Sequence, residues 1–273
     1  MRFSVLMSVY KNEKPEYFIQ AIESVLNQTL MPDEIILMRD GPVPKKMQRT
    51  IDGYRNGEYG HLFSYYPLKK NHGLGNALKI GVEKAKYEYI ARMDTDDIAE
   101  PNRFELQVKY MEKNPDISVC GGQIYEFIDI KDNVVGKREV PLEHKDIVLF
   151  MRNRNAFSHM TVMFKRQDVI DAGNYIEMYL VEDYYLWCRM LVCGYKFANL
   201  PEILVYARTG EDMYQRRGGY KYYLSFKKLE DYKLKKRIIN GVGYASTLFI
   251  RFVVHVMLPS KMRGVVFKIF VRD

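Results

Sequence analysis

The segment Ile90-Ala91-Arg92-Met93-Asp94-Thr95-Asp96-Asp97-Ile98 joins a short apolar run to three carboxylates within four positions. The run is typical of a strand buried on both faces of a parallel sheet. Three adjacent carboxylates repel one another, so a folded loop favours a positive charge among them. A divalent cation that bridges a diphosphate would supply it, because Mg²⁺ or Mn²⁺ needs few protein carboxylates and completes its shell with phosphate and water. The alternative is an acidic turn that caps the next helix through Asp97 or Asn102.

Strand-like and helix-like segments alternate along the first half of the chain. Short apolar runs predict buried strands at Ser4–Tyr10, Glu34–Met38, Leu62–Tyr66 and Tyr89–Met93. Helical spacing predicts helices at Gly73–Lys86, at Arg103–Lys113 and around one apolar face formed by Phe18, Ile19, Ile22, Val25 and Leu26. The alternation predicts an α/β fold, Rossmann-like, with a mostly parallel central sheet and helices on both faces. Ligands of such sheets bind beyond the carboxyl ends of the strands, where Tyr10, Asp40 and Asp94 follow.

The second half is less regular. We expect a strand at Thr161–Phe164, a helix at Glu182–Cys193 and a strand at Ile203–Tyr206. A polar loop rich in Gly and Arg extends over residues 210–219, and the chain from Ile238 is apolar with basic interruptions. The predicted division is a domain of residues 1–220, made of halves 1–115 and 116–220, and a basic amphipathic segment of residues 221–273.

The positive charge of the chain is concentrated near its C-terminal end. Residues 221–273 hold twelve Lys and Arg against three acids, a net of +9, although the whole chain carries only +8. Anionic lipid and nucleic acid both attract such a segment, but no RNA-binding motif accompanies it, so nucleic acid is not an expected partner. The three cysteines show no metal-type pairing and indicate a reducing compartment. The first apolar run is too short for a signal peptide, so we expect the catalytic part to face the cytosol.

Several motifs in a fixed order resemble those of the family 2 glycosyltransferases, which have the GT-A fold. They are Ser4-Val5-Leu6-Met7-Ser8-Val9-Tyr10, Arg39-Asp40-Gly41-Pro42, Asn71-His72-Gly73-Leu74-Gly75-Asn76-Ala77, Met93-Asp94-Thr95-Asp96-Asp97, Asn155-Ala156-Phe157-Ser158-His159, Val181-Glu182-Asp183-Tyr184-Tyr185-Leu186-Trp187 and Arg216-Arg217-Gly218-Gly219. The chain is most similar to the amylovoran-type enzymes of bacterial surface polysaccharide synthesis. The resemblance implies an inverting, metal-dependent enzyme that moves glucose or galactose from a UDP-sugar to a lipid-diphosphate-linked or polysaccharide acceptor. It would do so at the cytoplasmic face of the membrane.

The resemblance also assigns the donor site. Asp94 and Asp96 match the metal–diphosphate motif for Mn²⁺ or Mg²⁺, with Asp96 as the direct ligand. Residues implied to contact the nucleotide-sugar are Val9, Tyr10, Glu13, Asp40, Asn71, Gly73 and Arg92. Asp40 would accept a hydrogen bond from uracil N3, and its alternative role is an Asx turn before Gly41-Pro42. The alternative for Glu13 is a charge at a helix N-terminus. Leu78 and Lys79 stand where the family often has Arg-Asn, which removes an expected ribose contact.

The acceptor site lies in the second half by the same resemblance. Asp183 would be the base that takes the proton of the acceptor hydroxyl, with Glu182 assisting it. The alternative is a pair of acids stabilised at a helix N-terminus. His159 would orient the acceptor, unless it is structural. Arg216 and Arg217 would close over the diphosphate, unless they form an exposed basic loop.

For the C-terminal segment we prefer an amphipathic helix lying in the plane of an anionic membrane, because Arg251 near its middle would be costly inside a bilayer. The alternatives are a spanning helix and a helix that packs back on the core. Two other functions compete with glycosyl transfer. A sugar-nucleotide nucleotidyltransferase would need a Gly-rich loop after the first strand, and Tyr10-Lys11-Asn12-Glu13 has no glycine. A non-catalytic scaffold would not need both acidic sites intact.

Overall fold

Strands and helices alternate through the first ninety residues of the computed structural model, which describes residues 1–210 and 218–258. The elements are β1 (Phe3–Val9), α1 (Pro15–Leu26), β2 (Glu34–Arg39), α2 (Lys45–Asn56), β3 (Phe63–Pro67), α3 (Leu74–Lys84) and β4 (Tyr89–Arg92). The four strands pair in parallel in the order β3-β2-β1-β4. Their carboxyl ends therefore lie along one edge.

The second half extends the same sheet. Its elements are β5 (Ile98–Ala99), α4 (Arg103–Lys113), β6 (Ile117–Phe127), β7 (Val134–Arg138), α5 (His144–Phe150), β8 (Met163–Lys165), α6 (Arg166–Asp171), α7 (Glu182–Val192) and β9 (Lys196–Arg208). The complete order is β3-β2-β1-β4-β8-β6-β9-β5, with β7 paired to β6. Strand β8 is antiparallel to both β4 and β6, and β6 runs parallel to β9. The sheet is mixed, and β8 separates its two parallel parts.

Two apolar clusters cover the two faces of the sheet. In β1, Phe3, Val5 and Met7 point to one face, where α1 and α4 pack, and Leu6 points to the other. That second face is covered by α3, α7 and the C-terminal helix α8 (Tyr220–Lys235). Because side chains of a strand alternate between faces, burial of both faces accounts for the predominantly apolar sequence of β1.

Most predicted elements agree with the structure to within one or two residues, and three differences stand out. Strand β9 begins at Lys196, seven residues before the predicted start at Ile203. The sequence pattern misses this first part because Leu200-Pro201-Glu202 interrupts the apolar run. The sequence pattern does not predict helices α2, α5 and α6 or strands β5, β6 and β7. Helix α2 buries only Met47 and Ile51, and β6 contains Gly121-Gly122. Ile19, predicted on the buried face of α1, is 38% exposed.

The C-terminal segment begins as part of the folded core. Helix α8 buries Tyr222, Phe226 and Leu229 in the second cluster. Helix α9 (Gly241–Phe252) follows and is continued by a π-helical turn at Val253–Met257. Its outer side exposes Val242, Phe249 and Ile250, while Arg251 turns inward with its guanidinium carbon 3.5 Å from the centroid of the Phe226 ring. Within residues 1–210 and 218–258, no helix has the length and apolarity needed to cross a bilayer.

Candidate functional site

The acidic loop after β4 is organised around a buried arginine. Arg92, the last residue of β4, is 1% exposed, and its Nη2 lies 2.5 Å from Oδ1 of Asp94. Its Nε and Nη1 atoms are buried and have no hydrogen-bond partner among the described residues. Buried donors without partners are uncommon in folded proteins. Arg92 can therefore donate hydrogen bonds from two further nitrogen atoms besides the one that pairs with Asp94.

The carboxylates of this loop crowd one another as the sequence predicts. Burial raises the pKa of Asp96 to about 7, with Asp94 and Glu13 adding repulsion. Burial also raises the pKa of Asp97 well above its usual range, again with repulsion from Asp96 and Asp94. The charged form of each group is therefore disfavoured without added positive charge. A bound cation would reverse this effect, because metal binding favours deprotonated ligands.

The residues present fit a cation held jointly by protein and diphosphate. In the described part of the chain, no three His, Cys, Asp or Glu side chains are placed to hold a metal by themselves. Mg²⁺ and Mn²⁺ sites for nucleotides commonly use one or two carboxylates and complete their shell with phosphate and water. Asp94 and Asp96 match that requirement. Asp97 is turned away, since its Oδ1 accepts the backbone N–H of Arg208 at 2.7 Å.

Two arginines that the sequence analysis did not select hold this loop in place. Arg103, fully buried at the start of α4, donates from Nη2 to the carbonyl of Arg92 at 2.7 Å and from Nε to Gln107 at 3.1 Å. Burial and the charge of Arg92 lower the pKa of Arg103 to about 9. Arg208, at the end of β9, donates from Nε to the carbonyl of Asp96 at 3.0 Å.

Arg208 also lies between α1 and β6. Its guanidinium carbon is 3.8 Å from the ring centroid of Tyr17 and 4.5 Å from that of Phe127. Its only sequence signal was its position two residues after the predicted strand Ile203–Tyr206. Strand β9 thus fixes the acidic loop from 110 residues further along the chain.

Other residues predicted to contact the nucleotide-sugar lie at or after the ends of β1 and β2. The hydroxyl of Thr95 lies 2.9 Å from Oε2 of Glu13 and 3.2 Å from the carbonyl of Ser8, so Glu13 is tied to the acidic loop. Tyr10 is partly exposed just after β1. The Val9 side chain is fully buried in the first apolar cluster, and its carbonyl accepts the N–H of Asp40. Val9 therefore offers only its backbone to this region.

Asp40 organises the loop before α3. Its two carboxylate oxygens accept the backbone N–H groups of His72 at 2.7 Å and Gly73 at 3.0 Å, and its carbonyl accepts the side chain of Asn71 at 3.1 Å. Burial raises the pKa of Asp40, while these two N–H groups oppose that shift. Three residues assigned to the nucleotide site thus form one hydrogen-bonded unit. Each carboxylate oxygen keeps a second lone pair for a ligand.

Glu177 is a further acid that the sequence analysis did not select. Gly73 has a φ of +89°, and a Cβ atom there would come within 2.5 Å of the Glu177 carboxylate. The Glu177 Oε2 also accepts the N–H of Asn76 in the first turn of α3 at 3.3 Å. Because Gly73 has no side chain, the Glu177 carboxylate, from the loop before α7, can approach its backbone closely.

The second acidic pair begins α7 and reaches the same region. Oδ2 of Asp183 accepts the side-chain amide of Asn155 at 2.7 Å, and Oδ1 accepts the N–H of Tyr184. Burial raises the pKa of Glu182 to about 8, Asp183 adds to the shift, and Arg92 opposes it. Arg92 likewise opposes the raised pKa of Asp96. Asp96 and Glu182, 86 positions apart in sequence, therefore both lie within electrostatic range of one buried guanidinium.

His159 belongs to the same buried group. Its Nε2 lies 2.9 Å from the hydroxyl of Tyr175. Burial and the neighbouring Arg92 lower the pKa of His159 well below its usual value, so the ring is neutral at pH 7. Arg216 and Arg217 lie outside the described residues.

The mixed sheet, with its acidic loop beyond the carboxyl end of β4, has the GT-A fold of glycosyltransferases. The family model "Glycosyl transferase family 2" matches residues 4–172, so the chain belongs to glycosyltransferase family 2. Over 263 residues it is 39% identical to the amylovoran biosynthesis glycosyltransferase AmsE of Erwinia amylovora, covering 96% of this chain and 93% of that protein. The resemblance to the amylovoran-type enzymes is confirmed.

Two further similarities bear on donor and fold. A UDP-Gal:alpha-D-GlcNAc-diphosphoundecaprenol beta-1,3-galactosyltransferase of Escherichia coli is 33% identical over 272 residues, covering 99% of this chain and 97% of that one. The solved mannosyltransferase PcManGT of Pyrobaculum calidifontis, in complex with GDP-Man and Mn²⁺, superposes with a TM-score of 0.65 at 13% identity. It covers 98% of this chain and 81% of that one. At that identity the likeness shows the fold alone, and the predicted GT-A fold is confirmed.

Proposed function

We propose that this protein is a metal-dependent, inverting hexosyltransferase. It transfers glucose or galactose from a UDP-sugar to a lipid-diphosphate-linked or polysaccharide acceptor in bacterial surface polysaccharide synthesis. The observation that carries the proposal is that the buried Arg92, paired with Asp94, lies within electrostatic range of both acidic pairs, because one-step displacement needs a site for the leaving diphosphate beside a base for the acceptor. The names of the relatives from Erwinia amylovora and Escherichia coli support the substrate classes.

On the donor side, Asp94 and Asp96 would hold Mn²⁺ or Mg²⁺ together with the diphosphate. The bound ion would neutralise charge on the departing nucleoside diphosphate. Arg92 acts from behind the site: it fixes Asp94 through their ion pair and adds positive charge without facing solvent. Asp40 and Asn71 would receive the uracil, with the loop before α3 already held by the Asp40 carboxylate.

On the acceptor side, Asp183 would take the hydroxyl proton as the new glycosidic bond forms. The Asn155 amide fixes its Oδ2, which leaves the carboxylate in one orientation. Glu182, with a pKa of about 8, is protonated at neutral pH and would donate a hydrogen bond to the acceptor. His159, neutral and joined to Tyr175, is suited to orient the sugar without adding charge.

We further propose that α9 docks the enzyme on the cytoplasmic face of the membrane. Phe249 and Ile250 are 70% and 60% exposed on its outer side, and Arg251 is turned into the protein rather than toward lipid. Exposed lysines and an arginine at the end of α8, residues 235–237, lie next to this helix in sequence and would attract anionic lipid.

A donor screen tests this function directly. The full-length protein is incubated with Mn²⁺, a lipid-diphosphate-GlcNAc analogue and each of UDP-glucose, UDP-galactose, UDP-GlcNAc and GDP-mannose. We expect transfer from UDP-glucose or UDP-galactose and none from GDP-mannose. UDP should also raise the melting temperature more than GDP or ADP does in the presence of metal. Transfer from GDP-mannose alone, or equal stabilisation by all three nucleotides, would refute the uracil assignment.

A further inference from the structure

The loop of residues 151–155 carries Asn155, whose amide orients Asp183. Three consecutive carbonyls of this loop are held by side chains from the C-terminal half of the protein. The Met151 carbonyl accepts the Tyr184 hydroxyl at 2.5 Å, the Arg152 carbonyl accepts Lys233 Nζ at 2.8 Å, and the Asn153 carbonyl accepts Arg251 Nη2 at 3.3 Å. The backbone just before Asn155 is therefore fixed from α7, α8 and α9.

Lys233 is the centre of this arrangement. Its side chain and that of Glu230 are both 0% exposed, and Nζ lies 2.9 Å from Glu230 Oε1 and 3.3 Å from the Tyr184 hydroxyl. Burying a charged pair costs free energy that well-placed partners must offset, and hydrophobic residues often replace such a pair without loss of stability. A hydrophobic pair at these positions could therefore fill the same space. Besides Glu230, the Lys233 ammonium donates to a carbonyl of the loop and to the hydroxyl of Tyr184, the residue after Asp183.

We propose that Lys233 is a positioning residue for the catalytic base: by binding the Arg152 carbonyl and the Tyr184 hydroxyl it sets the orientation of Asn155 and Asp183. The inference rests on the proposed function of Asp183 as the base. It assigns the C-terminal helices a part in the transfer step itself, in addition to membrane docking. A displacement of about 1 Å at a reacting group costs up to about a hundredfold in rate, so small movements of this loop would be visible in turnover.

The test is a double-mutant cycle in the full-length protein. Lys233→Met with Glu230→Gln removes both charges together, so that neither is left buried alone. We expect kcat to fall about tenfold to a hundredfold, with the KM for UDP-sugar within about twofold and the melting temperature nearly unchanged. The matched control is Lys227→Met on the solvent side of the same helix, where Lys227 pairs with Asp231 at 2.8 Å. The control should leave kcat unchanged.

The decisive comparison uses the Asp183→Asn background. If Lys233 acts through the base, the paired substitution costs no further kcat there, because residues that act as a unit are not additive. The same fold-loss in both backgrounds, or no loss in the wild-type background, would overturn the proposal while leaving the proposed function intact. Full activity of Asp183→Asn alone would instead overturn the base assignment, and the positioning role with it.

If the paired variant fails to fold, Arg251→Met repeats the cycle through the neighbouring contact. It removes the hydrogen bond to the Asn153 carbonyl, the charge over the Phe226 ring and the positive charge near Glu230, and it leaves Lys233 in place. The same result is expected: a lower kcat in the wild-type background and no further loss with Asp183→Asn. Equal losses in both backgrounds would contradict the proposal here too.

Discussion

Arg92 and Asp94 form an ion pair of 2.5 Å in which the guanidinium is buried and the carboxylate remains partly accessible. The pair stands at the end of β4, where the parallel part of the sheet meets the antiparallel strand β8. The same guanidinium opposes the raised pKa values of Asp96 and Glu182. Arg92 is thus within electrostatic range of both the proposed donor site and Glu182 of the proposed acceptor site.

Arg92→Met should destabilise the protein and abolish transfer. Removing one partner of a fully buried ion pair costs about 3–5 kcal/mol, and we expect a smaller loss here because the Asp94 carboxylate that remains is 29% exposed. Urea unfolding measures this loss. Arg2→Met is the matched control, since Arg2 pairs with Asp33 while 70% exposed and should change the unfolding midpoint little. An Arg92→Met protein as stable as the control would show that the pair has no structural role.

Asp183→Asn keeps the size of the side chain and removes its ability to accept a proton. We expect kcat to fall about 10²–10⁴-fold with UDP binding retained, the effect typical of losing a general base. Asp168→Asn, at the first turn of α6, is the control for a purely helix-terminal acid. If Asp183→Asn turns over normally, Asp183 only stabilises the start of α7, and Glu182 becomes the next residue to test.

Glu182 should make the stability of the protein pH-dependent. Its pKa is about 8 in the folded protein and 4.5 for an unperturbed group, so the folded state binds the proton more tightly. The stabilisation that this proton provides is complete below about pH 4.5 and is lost as the pH rises through about 8. The wild type should therefore lose stability relative to Glu182→Gln as the pH rises from 5 to 8.

Melting temperatures of the two proteins at several pH values measure this shift. Glu105→Gln is the control, because Glu105 is exposed and its pKa is lowered by the hydrogen bond from Lys109. A difference between wild type and Glu182→Gln that does not vary with pH would contradict the raised pKa.

Phe249→Ser with Ile250→Ser should release the protein from anionic liposomes. Fully burying a side chain of this kind contributes about 1.5–3 kcal/mol, so partial insertion of two predicts a loss of affinity of at least about tenfold. Liposome flotation at low salt is the measurement. The control is Ile130→Ser, since Ile130 is 66% exposed but lies far from α9 in sequence. Unchanged binding would refute docking through α9.

Point substitutions are preferable to truncation for this test. Deleting residues from Ile238 onward would also remove the contact of Arg251 with Asn153 and with the ring of Phe226. Loss of activity on truncation would then report on the loop before Asn155 as much as on the membrane.

The acidic loop, the first four strands and the start of α7 were predictable because their signals are local. Asp94 and Asp96 follow an apolar strand within four residues, and Glu182 is the first residue of an amphipathic helix. The supports of the site were not predictable. Arg208 reaches the carbonyl of Asp96 across 112 positions, and Lys233 reaches that of Arg152 across 81.

The sequence pattern also does not predict which way individual side chains face. Val9 is predicted to flank the nucleotide, and strand alternation places its side chain in the first apolar cluster, so only its backbone could make that contact. Arg251 was weighed as a charge facing lipid, but packing turns it toward Phe226. Spacing along the chain identifies a strand or a helix, whereas its contacts depend on which elements cover each face.

The anomeric configuration of the product tests the central claim most directly. UDP-glucose and UDP-galactose carry the sugar in the α configuration, and a single displacement assisted by Asp183 inverts that centre. NMR of the product formed on a lipid-diphosphate-GlcNAc analogue with Mn²⁺ should show a β linkage. Product should be absent with excess EDTA and nearly absent with Asp96→Asn. An α-linked product, or full turnover in EDTA, would contradict the account.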